Sequence, residues 1–125
     1  MTKNAAIQNF FASFGLAAYP DVSVVKSGDE KPSFPYITYS ASTDSDMGRV
    51  MVTASVWYRS ESWTALNATV DAISQYVGTR RVLECDEGGI IVRKGEPWAQ
   101  PMGDDSDDMI KRKILSFEFL FATTY

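Results

Sequence analysis

The stretch Arg49-Val50-Met51-Val52-Thr53-Ala54-Ser55-Val56-Trp57-Tyr58-Arg59 alternates without a break. Val50, Val52, Ala54, Val56 and Tyr58 fall on one side, and Met51, Thr53, Ser55, Trp57 and Arg59 on the other. A period of two marks a strand with one buried face, because successive side chains of an extended chain point to opposite sides. Just beyond it the period changes. Trp63, Leu66, Val70, Ile73 and Val77 follow a near-heptad stripe, with Ser60 or Ser62 to cap the helix and Gly78 to end it. A strand running into an amphipathic helix sets the class as mixed α and β.

Upstream, Ile7, Phe10, Phe11 and Phe14 repeat at the spacing of one helical face. The reading is a helix over 3–14, capped by Thr2 and ended by Gly15, with its phenylalanines on the core. Tyr19-Pro20-Asp21 has the composition of a turn, followed by a short strand at Val22–Lys26 and a loop at 27–32. A second strand, 34–40, follows, with Pro35 near its start, where a missing N–H is tolerated. It forms a hairpin with the 49–59 strand around a polar, mobile tip at 43–48.

Downstream, strands are expected at Arg81–Cys85 and Ile90–Lys94, around a turn at Asp86-Glu87-Gly88-Gly89. Gly95 to Asp108 carries Pro97, Pro101, Gly103 and four aspartates and is read as irregular. Lys111 to Thr123 alternates Leu115, Phe117, Phe119 and Phe121 against Ile114, Ser116, Glu118 and Leu120, a long last strand. The expected order is α-β-β-β-α-β-β-β: one α+β domain over 1–125, two-layer, with a mostly antiparallel or mixed sheet and both helices on one face.

At 125 residues the chain has the size of a single domain with one real core. A net charge of −4 argues against gripping nucleic acid, since phosphate neutralisation needs a basic patch. The basic clusters, Arg80-Arg81 and Lys111-Arg112-Lys113, read as solvated strand edges or helix-end charges. A single cysteine, Cys85, allows no disulfide within the chain. The apolar run Ala5–Tyr19 is broken by Gln8, Asn9 and Ser13 and has only Lys3 as a basic residue. It reads as a helix of a cytoplasmic protein, and neither a signal peptide nor a membrane span is expected.

The chemistry is sparse. Histidine is absent, which removes the commonest general base and nitrogen metal ligand. Cys85 reads as a small buried hydrophobe, and no glycine-rich phosphate loop exists. Asp104, Asp105, Asp107 and Asp108 are the only candidate metal ligands, but they lack the spacing and closing glutamate of a calcium loop, so a solvated loop is the better reading. No catalytic residue and no cofactor are expected. Trp98 and Met102, in a proline-bounded segment, are either a lid on the core or interface residues. With Asp46 and Met47 of the 43–48 tip, they are the candidate interface positions.

Phe34-Pro35-Tyr36-Ile37-Thr38-Tyr39, the strand end Val56-Trp57-Tyr58-Arg59-Ser60, a helix opening at Trp63 with Ala65, Asp71 and Ile73, and the Phe-rich last strand come in a telling order. Together with the N-terminal helix, they resemble the tail terminator (tail completion) proteins of long-tailed bacteriophages. The resemblance covers nearly the whole chain, though its motifs are patterns of hydrophobicity rather than a signature. It implies a two-layer domain that forms a ring, usually a hexamer, at the head-proximal end of the tail, and that is monomeric in some isolated forms. Such a ring ends polymerisation of the tail tube protein and meets a head completion or connector protein. DNA passes through its lumen without being specifically bound. The expected setting is the virion tail, after assembly in the host cytoplasm. The resemblance transfers no catalytic or binding residue.

Three other readings compete. One is another head–tail connector or minor tail protein. The second is a small-molecule-binding α+β regulatory domain, favoured by a pocket lined with Trp57, Trp63 and Trp98. The third is an enzyme working with carboxylates and Mg²⁺ alone.

Overall fold

A computed structural model describes residues 1–20, 33–40, 47–103 and 107–123. The elements are α1 (Lys3–Ala12), β1 (Ala17–Pro20), β2 (Tyr36–Ser40), β3 (Met47–Arg59), α2 (Thr64–Val77), β4 (Arg81–Cys85), β5 (Gly88–Gly103) and β6 (Ile110–Thr123). They make an α+β fold in which six strands form one mixed sheet, ordered β1-β2-β3-β6-β5-β4. Only β1 and β2 run parallel; the other neighbours are antiparallel.

The alternation in β3 decides how the sheet is buried. Val52 lies opposite Phe117, Ala54 opposite Leu115 and Val50 opposite Phe119, while Ile90 and Val92 of β5 continue the row against Phe121 and Phe119. All but Val50 are almost fully inaccessible, and both helices lie over this row. Phe10 and Phe11 of α1 meet Phe117 at 5.9 and 5.6 Å between ring centroids. Leu66, Val70, Ile73 and Val77 of α2 bury the stripe read from the sequence. Each of these aliphatic side chains contributes on the order of 1.5–3 kcal/mol by leaving water.

Local chemistry sets the helix ends. The Thr2 hydroxyl accepts from the Ala5 N–H at 3.1 Å, so Thr2 caps α1. At the other end Ser13 closes the helix through its N–H to the Phe10 carbonyl, two residues before Gly15 with φ 84°. The Ser62 hydroxyl accepts from Thr64 N–H at 3.1 Å and opens α2. Gly78, at φ 58°, ends it and returns its N–H to the Ser74 carbonyl. The acids of the β4–β5 turn hold the start of α1: Glu87 accepts from Lys3 N–H at 3.0 Å, and Asp86 pairs with the Met1 ammonium at 2.6 Å. Acceptors there satisfy helix N–H groups that lack partners within the helix.

The structure corrects the sequence reading in three places. Tyr19-Pro20 is not a turn: Ala17–Pro20 is a strand, parallel to β2, with Ala18 buried and Pro20 at its end. The strand expected at Val22–Lys26 and the loop at 27–32 lie outside the described residues. Second, β3 begins at Met47, inside the expected tip; 43–46 also lie outside the described residues. Third, Gly95–Gly103 is not irregular. β5 passes a bulge between Lys94 and Ala99 and then pairs Ala99–Gly103 with Leu115–Lys111. The prolines misled because they argue against an interior strand. Pro97 falls in the bulge, and β4 flanks β5 only as far as Val92, so Pro101 is on an edge where a missing donor costs little.

Candidate functional site

The helices cover one face of the sheet and leave the other open among the described residues. Register assigns its occupants. Arg49, Met51, Thr53, Ser55, Trp57 and Arg59 project from β3, and Arg112, Ile114, Ser116, Glu118 and Leu120 from β6. Ile91, Arg93, Gln100 and Met102 project from β5. The alternation that buries the phenylalanines therefore also collects four arginines and one glutamate on the far side.

Two clusters organise this face. In the first, Glu118 lies between Arg49 at 3.2 Å and Arg93 at 3.9 Å, both arginine side chains more than half exposed. Surface pairs of this kind stabilise little, on the order of 0–1 kcal/mol. Their weight is in the charge they present. Beside them a groove of about 480 Å³ is lined by Thr79, Arg80, Ile91, Arg93, Glu118 and Leu120. In the second, the Arg112 guanidinium lies 4.5 Å from the Trp57 ring centre and donates to the Ser55 hydroxyl at 3.0 Å. Trp57 stacks on Tyr36 at 5.8 Å and donates to the Thr38 hydroxyl at 3.0 Å. Burial pushes the Tyr36 phenol up from its ordinary pKa, and the nearby Arg112 charge partly opposes this.

The residues singled out from sequence are scattered. Trp98 lies in the β5 bulge and folds onto the core, edge-on to Phe117 at 5.1 Å. Met102 is on the open face opposite Arg112 and 45% exposed. Met47 opens β3 with its backbone paired to Ala122; its side chain and Asp46 lie outside the described residues. Asp104 and Asp105 lie outside them too. Asp107 is engaged, accepting from Arg59 Nε at 3.2 Å and Met109 N–H at 2.9 Å, and the Asp108 carbonyl accepts from Lys111 Nζ at 2.7 Å. Among the described residues, no group of three acids or cysteines is placed to hold a metal ion. Cys85 is half-buried, its thiol directed at the Gly88 carbonyl.

The three tryptophans do not share a pocket. Trp57 is on the open face, whereas Trp63 and Trp98 pack against the core on the helix side, under Lys111 and Lys94 respectively. Lys111 itself is buried rather than solvated, its stem covered and its ammonium 5.7 Å from the Trp63 ring. Arg81 does behave as a helix-end charge, bonding the Tyr76 carbonyl at 2.8 and 3.0 Å near the end of α2. Sequence reasoning missed Arg49, Arg93 and Arg112 as a set because they come from three strands. The available signal was their position opposite the apolar row. No known protein family, curated protein or solved structure matches this chain.

Proposed function

We propose that this chain is a virion assembly subunit of the tail-terminator type, acting in a ring at the head-proximal end of a long phage tail. One observation carries the reading. The sheet puts both helices on one side and presents an arginine-, methionine- and tryptophan-bearing face on the other, a surface composed like a protein contact rather than a reaction pocket. The segments that carry the resemblance support it: Tyr36–Ser40 is a strand, the 56–60 segment ends one, Trp63 precedes α2, and the Phe-rich segment is one of the two middle strands. Such a ring ends tube growth by covering its terminal subunits, and its other side meets the head connector. No described helix is long and apolar enough to cross a membrane.

The test is genetic. A phage deleted for this chain is expected to make filled heads and separate, overlong tails that fail to join. Tails of normal length joined to heads would refute the reading. Leaking heads with free tails of normal length would assign the chain to the head-side connector instead.

A further inference from the structure

β4 is the edge of the sheet beyond β5, and its outer side is unpaired among the described residues. The two-residue turn Asp86-Glu87 closes on Cys85 and Gly88, which makes those two a hydrogen-bonded pair. Alternation then turns the backbone N–H and C=O groups of Cys85, Leu83 and Arg81 toward β5, and those of Glu84 and Val82 outward. The next outward donor, Asp86 N–H, is taken by the Met1 carbonyl at 2.6 Å, which ends the open stretch on that side. A groove of about 360 Å³ lined by Asn9, Ser13, Tyr76, Val82 and Glu84 runs beside the strand, so α1 does not close over the edge.

The side chains along this edge indicate what pairs with it. Val82 lies opposite Ile91 and Glu84 opposite Gly89, on the sheet face away from the helices, and Arg80 lines a groove there with Ile91 and Arg93. All three are exposed, Val82 at 54%. Neither Arg80 nor Glu84 has an ion pair among the described residues. The row is therefore basic at one end, apolar in the middle and acidic at the other. Turned end for end, it is its own complement. Antiparallel pairing across a two-fold axis sets residues of one face directly opposite each other. Centred on Val82, it joins the outward backbone groups of the two valines and sets Arg80 against the partner's Glu84 at both ends. Other registers are worse. Centred on Glu84 or Arg81, the pairing opposes like charges; centred on Leu83, it sets Arg80 against the partner's Asp86, which the Met1 ammonium already holds.

We propose that the β4 edge pairs with the β4 edge of a second copy of this chain, antiparallel and centred on Val82, so that two six-stranded sheets become one. The contact is isologous, the same patch on both subunits. It does not rest on the tail reading and stands whichever way the phage deletion falls. Two short strands make a small contact, so the dimer belongs to high protein concentration.

The experiment is sedimentation velocity of the full chain, up to millimolar protein, with two single charge reversals. The parent chain is expected to dimerise as its concentration rises. Arg80→Glu or Glu84→Arg alone places like charges opposite each other at both ends, and each should weaken dimerisation by about tenfold or more. Mixed in equal amounts, the two variants regain opposite charges at both ends and should form a heterodimer about as tightly as the parent. A contact elsewhere on the surface would not show this rescue. Amide exchange of the parent gives a second reading: the Val82 and Glu84 N–H groups should slow as protein concentration rises, because only outward donors gain a partner. A parent that stays monomeric at millimolar protein, a dimer untouched by both reversals, or a mixture that stays monomeric overturns the proposal. If far-UV circular dichroism shows that a variant fails to fold, the exchange decides. A dimer whose Val82 and Glu84 amides exchange as fast as in the monomer overturns it too.

Discussion

Phe117 sits where α1 and the β5 bulge converge on the sheet. Its ring meets Phe10, Phe11, Trp98 and Phe119 at centroid distances between 5.1 and 6.2 Å, all near edge-on. The side chain is fully buried, and four rings cannot all close on a vacancy. Phe117→Ala is therefore expected to cost about 3–5 kcal/mol, read as a lower urea midpoint at constant slope. A loss below about 1 kcal/mol would mean that this site collapses freely. Tyr36 and Tyr39 give a second prediction at this scale. Burial raises both phenol pKa values above the ordinary 10, with Arg112 opposing it at Tyr36, and the Tyr39 hydroxyl bonds the Gln8 side chain. A phenol whose folded pKa is raised binds its proton more tightly folded than unfolded. The stability it contributes is whole below about pH 10 and is lost as pH rises through the folded value. Unfolding free energy should thus fall on moving from pH 9 to pH 11, and Tyr36→Phe with Tyr39→Phe should flatten that fall. An equal slope in the double variant would rule out these phenols as its source.

Between elements, β5 runs close against its neighbours at Gly95, in its bulge. A methyl group there would lie 3.1 Å from Ser116 Cβ, 3.2 Å from the Ser116 carbonyl oxygen and 3.2 Å from Met51 Cε. The methionine end can move, but Ser116 is locked in β6, which is paired on both sides. Gly95→Ala is expected to destabilise by about 1–3 kcal/mol, and adding Met51→Ala should recover only part of that. Full recovery would show that the methionine alone crowds the site. This bulge also marks where the sequence stopped being legible. The strands around Val50–Tyr58 and Leu115–Phe121 and the α2 stripe could be read because a buried face imposes a period, whichever element lies opposite. β1 and the far half of β5 could not, because Pro20, Pro97 and Pro101 are tolerated at a strand end, in a bulge and on an edge, positions that only pairing reveals. The arginine face was hidden for the same reason. Arg49, Arg93 and Arg112 look like ordinary solvent positions until the register of β3, β6 and β5 sets them side by side.

Among the described residues one buried cluster runs from Ala6 and Phe11 in α1 through Ile37, Val52 and Phe119 in the sheet to Leu66 and Val77 in α2. No described element has a core of its own, so none can persist once the rest has opened. Unfolding should therefore be a single cooperative transition. The tryptophans make this measurable, since Trp57 reports on the open face and Trp63 and Trp98 report on the helix side. Fluorescence and far-UV circular dichroism should give one urea midpoint, and replacing Trp57 with Phe should not split them. Native-state amide exchange should then grade the sheet from its centre. β6 is paired along its length to β3 and β5, while β4 and β1 are edges of five and four residues. Amides of Leu115–Phe121 are expected to exchange only through global opening, with protection matching the unfolding free energy, and those of β4 to exchange sooner through local fraying. If β4 were protected as strongly as β6 in the monomer, it would have to fray only with the whole sheet. Strong protection of β4 that appears only as protein concentration rises would instead mark its free edge as covered in the assembly.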